Sequence, residues 1–158
     1  IIYPDGKRSR LRSSSGIPVC PDTYKFKTIG EKLDFTLSFS GLKKDTKWID
    51  LVEECDANCF SIYGITVDSV MNKKIDETYF KAKNATPTEG MKYFSDLLNE
   101  TDKLNLGSEG MLYINIIKLA REAGNEVQAK EWYQKFQLSD APRLPQYLKY
   151  LNDQSVKY

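Results

Sequence analysis

Along the first half of the chain hydrophobic and polar residues alternate one by one, and along the second half they recur every three to four residues. In EKLDFTLSFS, residues 31–40, Leu33, Phe35, Leu37 and Phe39 fall on one face, and Asp34, Thr36, Ser38 and Ser40 on the other. That is the pattern of an antiparallel strand with one face buried. A turn at Gly41-Leu42-Lys43-Lys44-Asp45 leads into TKWIDLVE, where Trp48, Asp50 and Val52 oppose Ile49 and Leu51. This strand is expected to be covered on both sides. In CFSIYGITVD the apolar phase runs Phe60, Ile62 and then Ile65, Val67, and the slip of one residue at Gly64 predicts a bulge or bend. RSRLRSSSG and TYKFKTIG are shorter strand candidates, joined by the turn-prone Gly16-Ile17-Pro18 and Cys20-Pro21-Asp22.

From about residue 72 the period becomes helical. Thr86-Pro87-Thr88-Glu89 has the form of an N-cap, a first-turn proline and a capping-box glutamate, followed by an apolar stripe of Met91, Phe94, Leu97 and Leu98. Ser108 is expected to cap a helix carrying Leu112, Ile116, Leu119, Ala120 and Ala123, which Gly124 ends. Asn125 then caps a helix with Ala129, Trp132, Tyr133 and Phe136 on one side, and Asp140-Ala141-Pro142 opens a last helix with Leu144, Tyr147, Leu148 and Leu151. Connections this short force neighbouring helices antiparallel. The expected class is α+β: a β half over residues 1–70, then a helical half of four or five helices over residues 71–158.

Charge excludes some functions. The 23 basic and 22 acidic side chains leave a formal net charge of +1, so no overall field draws in nucleic acid or an anionic membrane. Lys7, Arg8, Arg10 and Arg12 cluster, which suits a solvated edge strand protected from pairing with other chains. No apolar run approaches the roughly 20 residues that span a bilayer. Ile1-Ile2 followed at once by Pro4, Asp5, Gly6 and Lys7 is not a signal peptide. The chain is therefore expected to begin within a structured region. Histidine is absent, which removes the usual proton shuttle near neutral pH and the commonest metal ligand.

Two stretches resemble known families. LAREAGNEVQAKEWYQKF, residues 119–136, resembles the helix-turn-helix core of a tetratricopeptide repeat, with Gly124-Asn125 at the turn, Ala129 where the helices cross closely, Tyr133 one turn later and Pro142 near the close. The unit runs over about residues 108–142, and TPTEGMKYFSDLL is similar to such a repeat's second helix. One repeat cannot bury its own face, so the resemblance implies packing on neighbouring helices or on the sheet rather than a peptide-binding superhelix. The first half carries a more specific pattern: Asp5-Gly6-Lys7, Ser15-Gly16-Ile17-Pro18, Gly30-Glu31, Lys44-Asp45-Thr46-Lys47, Ile49 to Glu53 and Phe60 to Ile65. Over about residues 1–67 it resembles an uncharacterised β-sandwich module of secreted Bacteroidetes proteins. That resemblance implies an Ig-like sandwich exported to the periplasm or cell surface, with no assigned activity.

Three cysteines, Cys20, Cys55 and Cys59, are the reactive candidates. A structural zinc site wants four Cys or His ligands, and a redox pair wants Cys-x-x-Cys at a helix N-terminus. EECDANCF offers neither. A three-residue loop, Asp56-Ala57-Asn58, would instead set Cys55 opposite Cys59 on adjacent strands, with α-carbons roughly 4.5–5.5 Å apart, within reach of a disulfide. Pairing of Cys20 with either of them is the alternative, and export, as the β-sandwich resemblance implies, would favour oxidation. Glu53, Glu54, Asp56 and Asn58 crowd oxygen ligands as a calcium loop does, but without the glycine and distant glutamate of an EF-hand, and turn chemistry explains Asp56 and Asn58 without a metal. No cofactor is expected.

No catalytic signature is present: the chain has no histidine for a triad, no Gly-x-Ser-x-Gly, no P-loop and no dinucleotide fingerprint. Paired carboxylates alone could still run glycoside chemistry. Trp132, Tyr133, Tyr147 and Tyr150 form the candidate interaction surface, a stacking platform, although their helical spacing better suits an interface between helices and between helix layer and sheet. The sequons Asn84-Ala85-Thr86 and Asn99-Glu100-Thr101 read as helix-flanking polar residues. The expected function is a non-catalytic exported module holding a protein or glycan partner, the alternative a carboxylate-dependent, carbohydrate-active hydrolase. A cleft lined by two carboxylates would favour the hydrolase, and a flat apolar patch the module.

Overall fold

The computed structural model describes residues 1–55, 59–101 and 103–158. The protein is α+β, with four short strands followed by five helices among the described residues. It divides into two compact units, Ile1–Ile65 and Thr66–Tyr158. The second begins a few residues earlier than the change of period suggests. Thr66 belongs with the helices because its hydroxyl donates to the Leu106 carbonyl (3.0 Å) and its own carbonyl accepts from Asn72 Nδ2 (2.5 Å).

In the first unit, β1 (Ser13–Ser15) pairs antiparallel with β2 (Thr36–Ser38), with Ser14 opposite Leu37. β3 (Trp48–Val52) pairs with β4 (Ser61–Thr66) in a second two-stranded antiparallel sheet. Residues 1–9 form a hairpin turned at Pro4-Asp5-Gly6, in which the Tyr3 amide bonds the Lys7 carbonyl and the Ser9 amide the Ile1 carbonyl. This hairpin adds to β3 by two backbone bonds between Ile2 and Asp50, 2.8 and 2.9 Å. β3 is covered as expected, with Trp48 and Asp50 buried and Ile49, Leu51 and Val52 half-buried.

Elsewhere the strands are shorter than the alternation predicts. Of residues 31–40 only Thr36–Ser38 is strand, although Leu33, Leu37 and Phe39 keep the more covered positions. TYKFKTIG is not a strand. The carboxylate of Glu31 gathers that segment instead, accepting from the Tyr24 hydroxyl (2.5 Å) and from the amides of Lys27 (2.6 Å) and Thr28 (3.3 Å). Those bonds hold the Glu31 carboxyl below its ordinary pKa, the tyrosine bond most of all. The slip at Gly64 is present: this residue has φ of +67°, a conformation glycine adopts without strain, and its amide turns onto the Asp50 side chain. Ile62 and Val67, read as part of a buried phase, are 48% and 38% exposed.

The helical unit follows its capping signals closely. Asp68 caps α1 (Ser69–Lys83) by accepting from the Val70 and Met71 amides. Thr86 and Glu89 close the capping box of α2 (Pro87–Thr101) with bonds of 3.0 and 3.4 Å. α3 (Glu109–Glu122) ends in a Schellman motif, since Gly124 takes φ of +74° while its amide bonds Arg121 and that of Asn125 bonds Ala120. Asn125 caps α4 (Glu126–Gln137) through the Gln128 amide. α5 runs from Leu144 to Asp153, later than Asp140-Ala141-Pro142 suggests. Arg143 takes a left-handed turn (φ +61°) before it, and Pro145 fills its first turn. The core lies between α2, α3 and α4, where Phe94, Leu98, Leu112, Ile116, Ile117 and Phe136 are nearly or wholly buried. Ala120 and Ala129, both wholly buried, permit the close crossing of α3 and α4.

Candidate functional site

The predicted site residues part company in three dimensions. The sulfurs of Cys55 and Cys59 are bonded, with α-carbons 5.8 Å apart. Cys20 is exposed and unbridged. Asp56, Ala57 and Asn58, the expected loop, lie outside the described residues. The neighbouring carboxylates have other partners, Glu54 pairing with Arg8 and Glu53 accepting from the Phe60 amide at 3.2 Å.

Nor do the four aromatics of the candidate interaction surface form one face. Tyr133 is 4% exposed and packs edge-on against Tyr158 at 5.5 Å, so it is a core residue. Tyr147 is half-buried and lies against Gly110 and Phe136. Tyr150 is 41% exposed. Helical spacing drew them together in one dimension, but the inward face of each helix took the larger share. Trp132 lines a cavity.

That cavity is a recess of about 810 Å³ in the helical unit, between the α2–α3 connection and the end of α4. Its construction starts at Thr101, wholly buried, whose hydroxyl donates to the Leu97 carbonyl at 3.0 Å. The Asn99-Glu100-Thr101 sequon thus lies within α2. The chain then turns through left-handed Asn105 (φ +51°) and Gly107 (φ +84°), and the Arg143 guanidinium holds the Gly107 carbonyl at 3.1 Å. Ser108 stands at the N-cap of α3 without a side-chain cap bond. Glu109 instead ties the connection to the first turn of α3, since its Oε1 accepts the buried amide of Leu106, two residues ahead of the N-cap, at 2.5 Å.

Glu109 is 4% exposed, and its other oxygen, Oε2, has no hydrogen-bond partner among the described residues. One turn on, Tyr113 stacks on Phe136 (4.9 Å, 17° between planes) and meets Trp132 edge-on at 6.1 Å. The Lys135 ammonium sits 4.3 Å above the Trp132 ring, a cation–π contact. Lys103, Asn99, Asn105 and Asp140 add charge of both signs and amides to the wall. The recess therefore combines an aromatic side chain with amide groups and charges of both signs.

Periodicity could have found Glu109. It stands at i relative to Leu112, Tyr113 and Ile116 at i+3, i+4 and i+7, so a carboxylate falls in phase with the buried stripe. Asp140 and Lys103 lie in connections, where no period marks them.

The β unit holds a smaller groove of about 300 Å³, lined chiefly by apolar residues that include Leu11, Ile17, Leu37, Phe39 and Leu51. Comparison with protein-family models, curated proteins and solved structures returned no match to this chain. Among the described residues no helix is long and apolar enough to cross a membrane.

Proposed function

We propose that this chain is a non-catalytic binding and assembly module acting outside the cytoplasm, in the periplasm or at the cell surface, where it holds a protein or glycan partner. The observation that carries the reading is the recess of the helical unit, with Trp132 and the buried Glu109 on its walls. The β unit is read as an Ig-like module and the α3–α4 hairpin as a tetratricopeptide-like one; the strand and capping patterns support both. The Cys55–Cys59 bond supports an oxidising compartment. Purified protein is to be tested on an array of bacterial-surface glycans and against an extract of envelope proteins. Saturable binding that Trp132→Ala weakens is the expected result, and no binding to either set overturns the reading.

A second reading, a carboxylate-dependent hydrolase, is favoured by one observation: Glu109 and Asp140 line the same recess. Release of reducing sugar from polysaccharide, abolished by both Glu109→Gln and Asp140→Asn, would decide for it.

A further inference from the structure

We propose that the loop of residues 23–32 in the β unit docks on an anionic phospholipid bilayer, with Ile29 and Phe26 entering the acyl boundary and Lys25, Lys27 and Lys32 meeting headgroup phosphates. The proposal goes beyond the binding-module reading and does not rest on it. The loop has a defined shape. The Glu31 amide bonds the Thr28 carbonyl at 3.3 Å, closing a turn in which Gly30 takes φ of +86°. The Glu31 carboxylate ties that turn back to Tyr24, Lys27 and Thr28, and Tyr24 meets Phe26 edge-on at 5.1 Å. Ile29 is thereby set at the apex. Chain neighbours apart, no heavy atom among the described residues lies within 4 Å of the place a Cβ on Gly30 would take. Ile29 stands wholly in solvent, Phe26 is 59% exposed and Tyr24 39%, although turns ordinarily carry glycine, proline and small polar residues. The bonds to Glu31 hold the loop in the shape that presents them.

Charge selects the occupant. Lys25, Lys27 and Lys32 are exposed and, among the described residues, in no ion pair. Glu31, the one acidic residue of the span, is occupied by the loop's own donors. Asp22 and Asp34 belong to the stem, where the Asp22 amide bonds the Val19 carbonyl and the Asp34 backbone lies against Gly16. An apolar apex within a basic collar matches a surface that is apolar inside and anionic outside, the interface of an acidic bilayer. Such an interface receives protruding side chains without a complementary shape, which a protein partner would have to supply. The chain as a whole is nearly neutral, so the attraction is local and the binding reversible.

The test uses the full chain and sucrose-loaded vesicles, either phosphatidylglycerol mixed with phosphatidylcholine or phosphatidylcholine alone, read by co-sedimentation. Binding to the anionic vesicles is expected, weaker by about tenfold for Ile29→Ser or Phe26→Ser and by about fivefold for each of Lys25→Gln and Lys32→Gln. Val127→Ser, which replaces an exposed aliphatic side chain of α4, is expected to bind as the wild type does. Ile29→Trp adds a second readout, since a tryptophan entering the acyl boundary shifts its emission to the blue on the anionic vesicles. Failure to sediment with the anionic vesicles overturns the proposal, as does equal binding to phosphatidylcholine alone, binding that no loop substitution alters, or an Ile29→Trp emission that vesicles leave unmoved. A protein partner released by Ile29→Ser, in the absence of vesicle binding, overturns it in favour of a protein contact.

Discussion

The Gly64 amide donates to Asp50 Oδ1 at 2.8 Å, so a buried carboxylate on β3 fixes the bend in β4. The same residue bonds Ile2 through its backbone amide and carbonyl. Asp50 is therefore a junction of three chain segments. Asp50→Ala would leave the Gly64 amide unmatched and is expected to cost the β unit about 1–3 kcal/mol. Asp50→Asn, which retains an acceptor, should lose less. Urea denaturation followed by the fluorescence of nearby Trp48 measures both, and equal stability of Asp50→Ala and wild type would refute the junction.

Gly110 has no side chain because the Tyr147 ring occupies that space. A Cβ at this position would lie 2.4 Å from two ring carbons. Tyr147 would have to leave its place against Phe136 and the α3 face, and overpacking of this kind costs about 1–3 kcal/mol. Gly110→Ala should lower the melting temperature, whereas Gly41→Ala, with nothing within 4 Å of the added carbon, should leave it nearly unchanged. Calorimetry of the two variants side by side checks the contrast.

The helical unit was legible where local signals carry the structure. Thr86 with Glu89, Asn125 and Gly124 each do what their residue types predict, because a cap or a left-handed turn is decided within about four residues. Ser108 misled: it stands at the N-cap but its side chain makes no cap bond, and the glutamate after it bonds the Leu106 amide of the connection. In the β unit the alternation of residues 31–40 marked the more covered face at Leu33, Leu37 and Phe39, but not at Phe35, which is 42% exposed, and not the length of the strand. Pairing needs a partner far away in sequence, and β1 supplies only three residues. The recess was least legible, since Trp132 and Glu109 come from different helices and Asp140 and Lys103 from connections.

Thiol accessibility tests the bridge. Cys20 is exposed and unbridged, and Cys55 is joined to Cys59. Alkylation of the protein purified from an oxidising compartment should therefore add one adduct per chain before reduction and three after it. The bridge closes a very short loop, so the chain-entropy model limits its contribution to about 2 kcal/mol, and reduction should leave the helical unit's thermal transition in place. Three adducts without reductant would refute the bridge, and with it the support it gives to export.

Tyr158 and Glu126 make the sharpest pH prediction. The Tyr158 hydroxyl donates to Glu126 Oε2 while its ring meets Tyr133. Burial first, then the bond and charge of Glu126, push the phenol from its ordinary 10.0 up to about 12. The Tyr158 bond first, then Arg121, holds the Glu126 carboxyl below its usual value. The folded state thus prefers protonated Tyr158 and ionised Glu126. A raised pKa contributes stability that is whole below pH 10 and fades as the pH climbs to about 12. The depressed carboxyl contributes above its unfolded value of 4.5 and loses that contribution as acid protonates it. The contact is therefore at full strength between those limits. Spectrophotometric titration should show a late-ionising phenol that Tyr158→Phe removes. Glu126→Gln should shift that phenol downward without restoring 10.0, because burial, the larger cause, remains. An unchanged titration curve in Tyr158→Phe would refute the assignment.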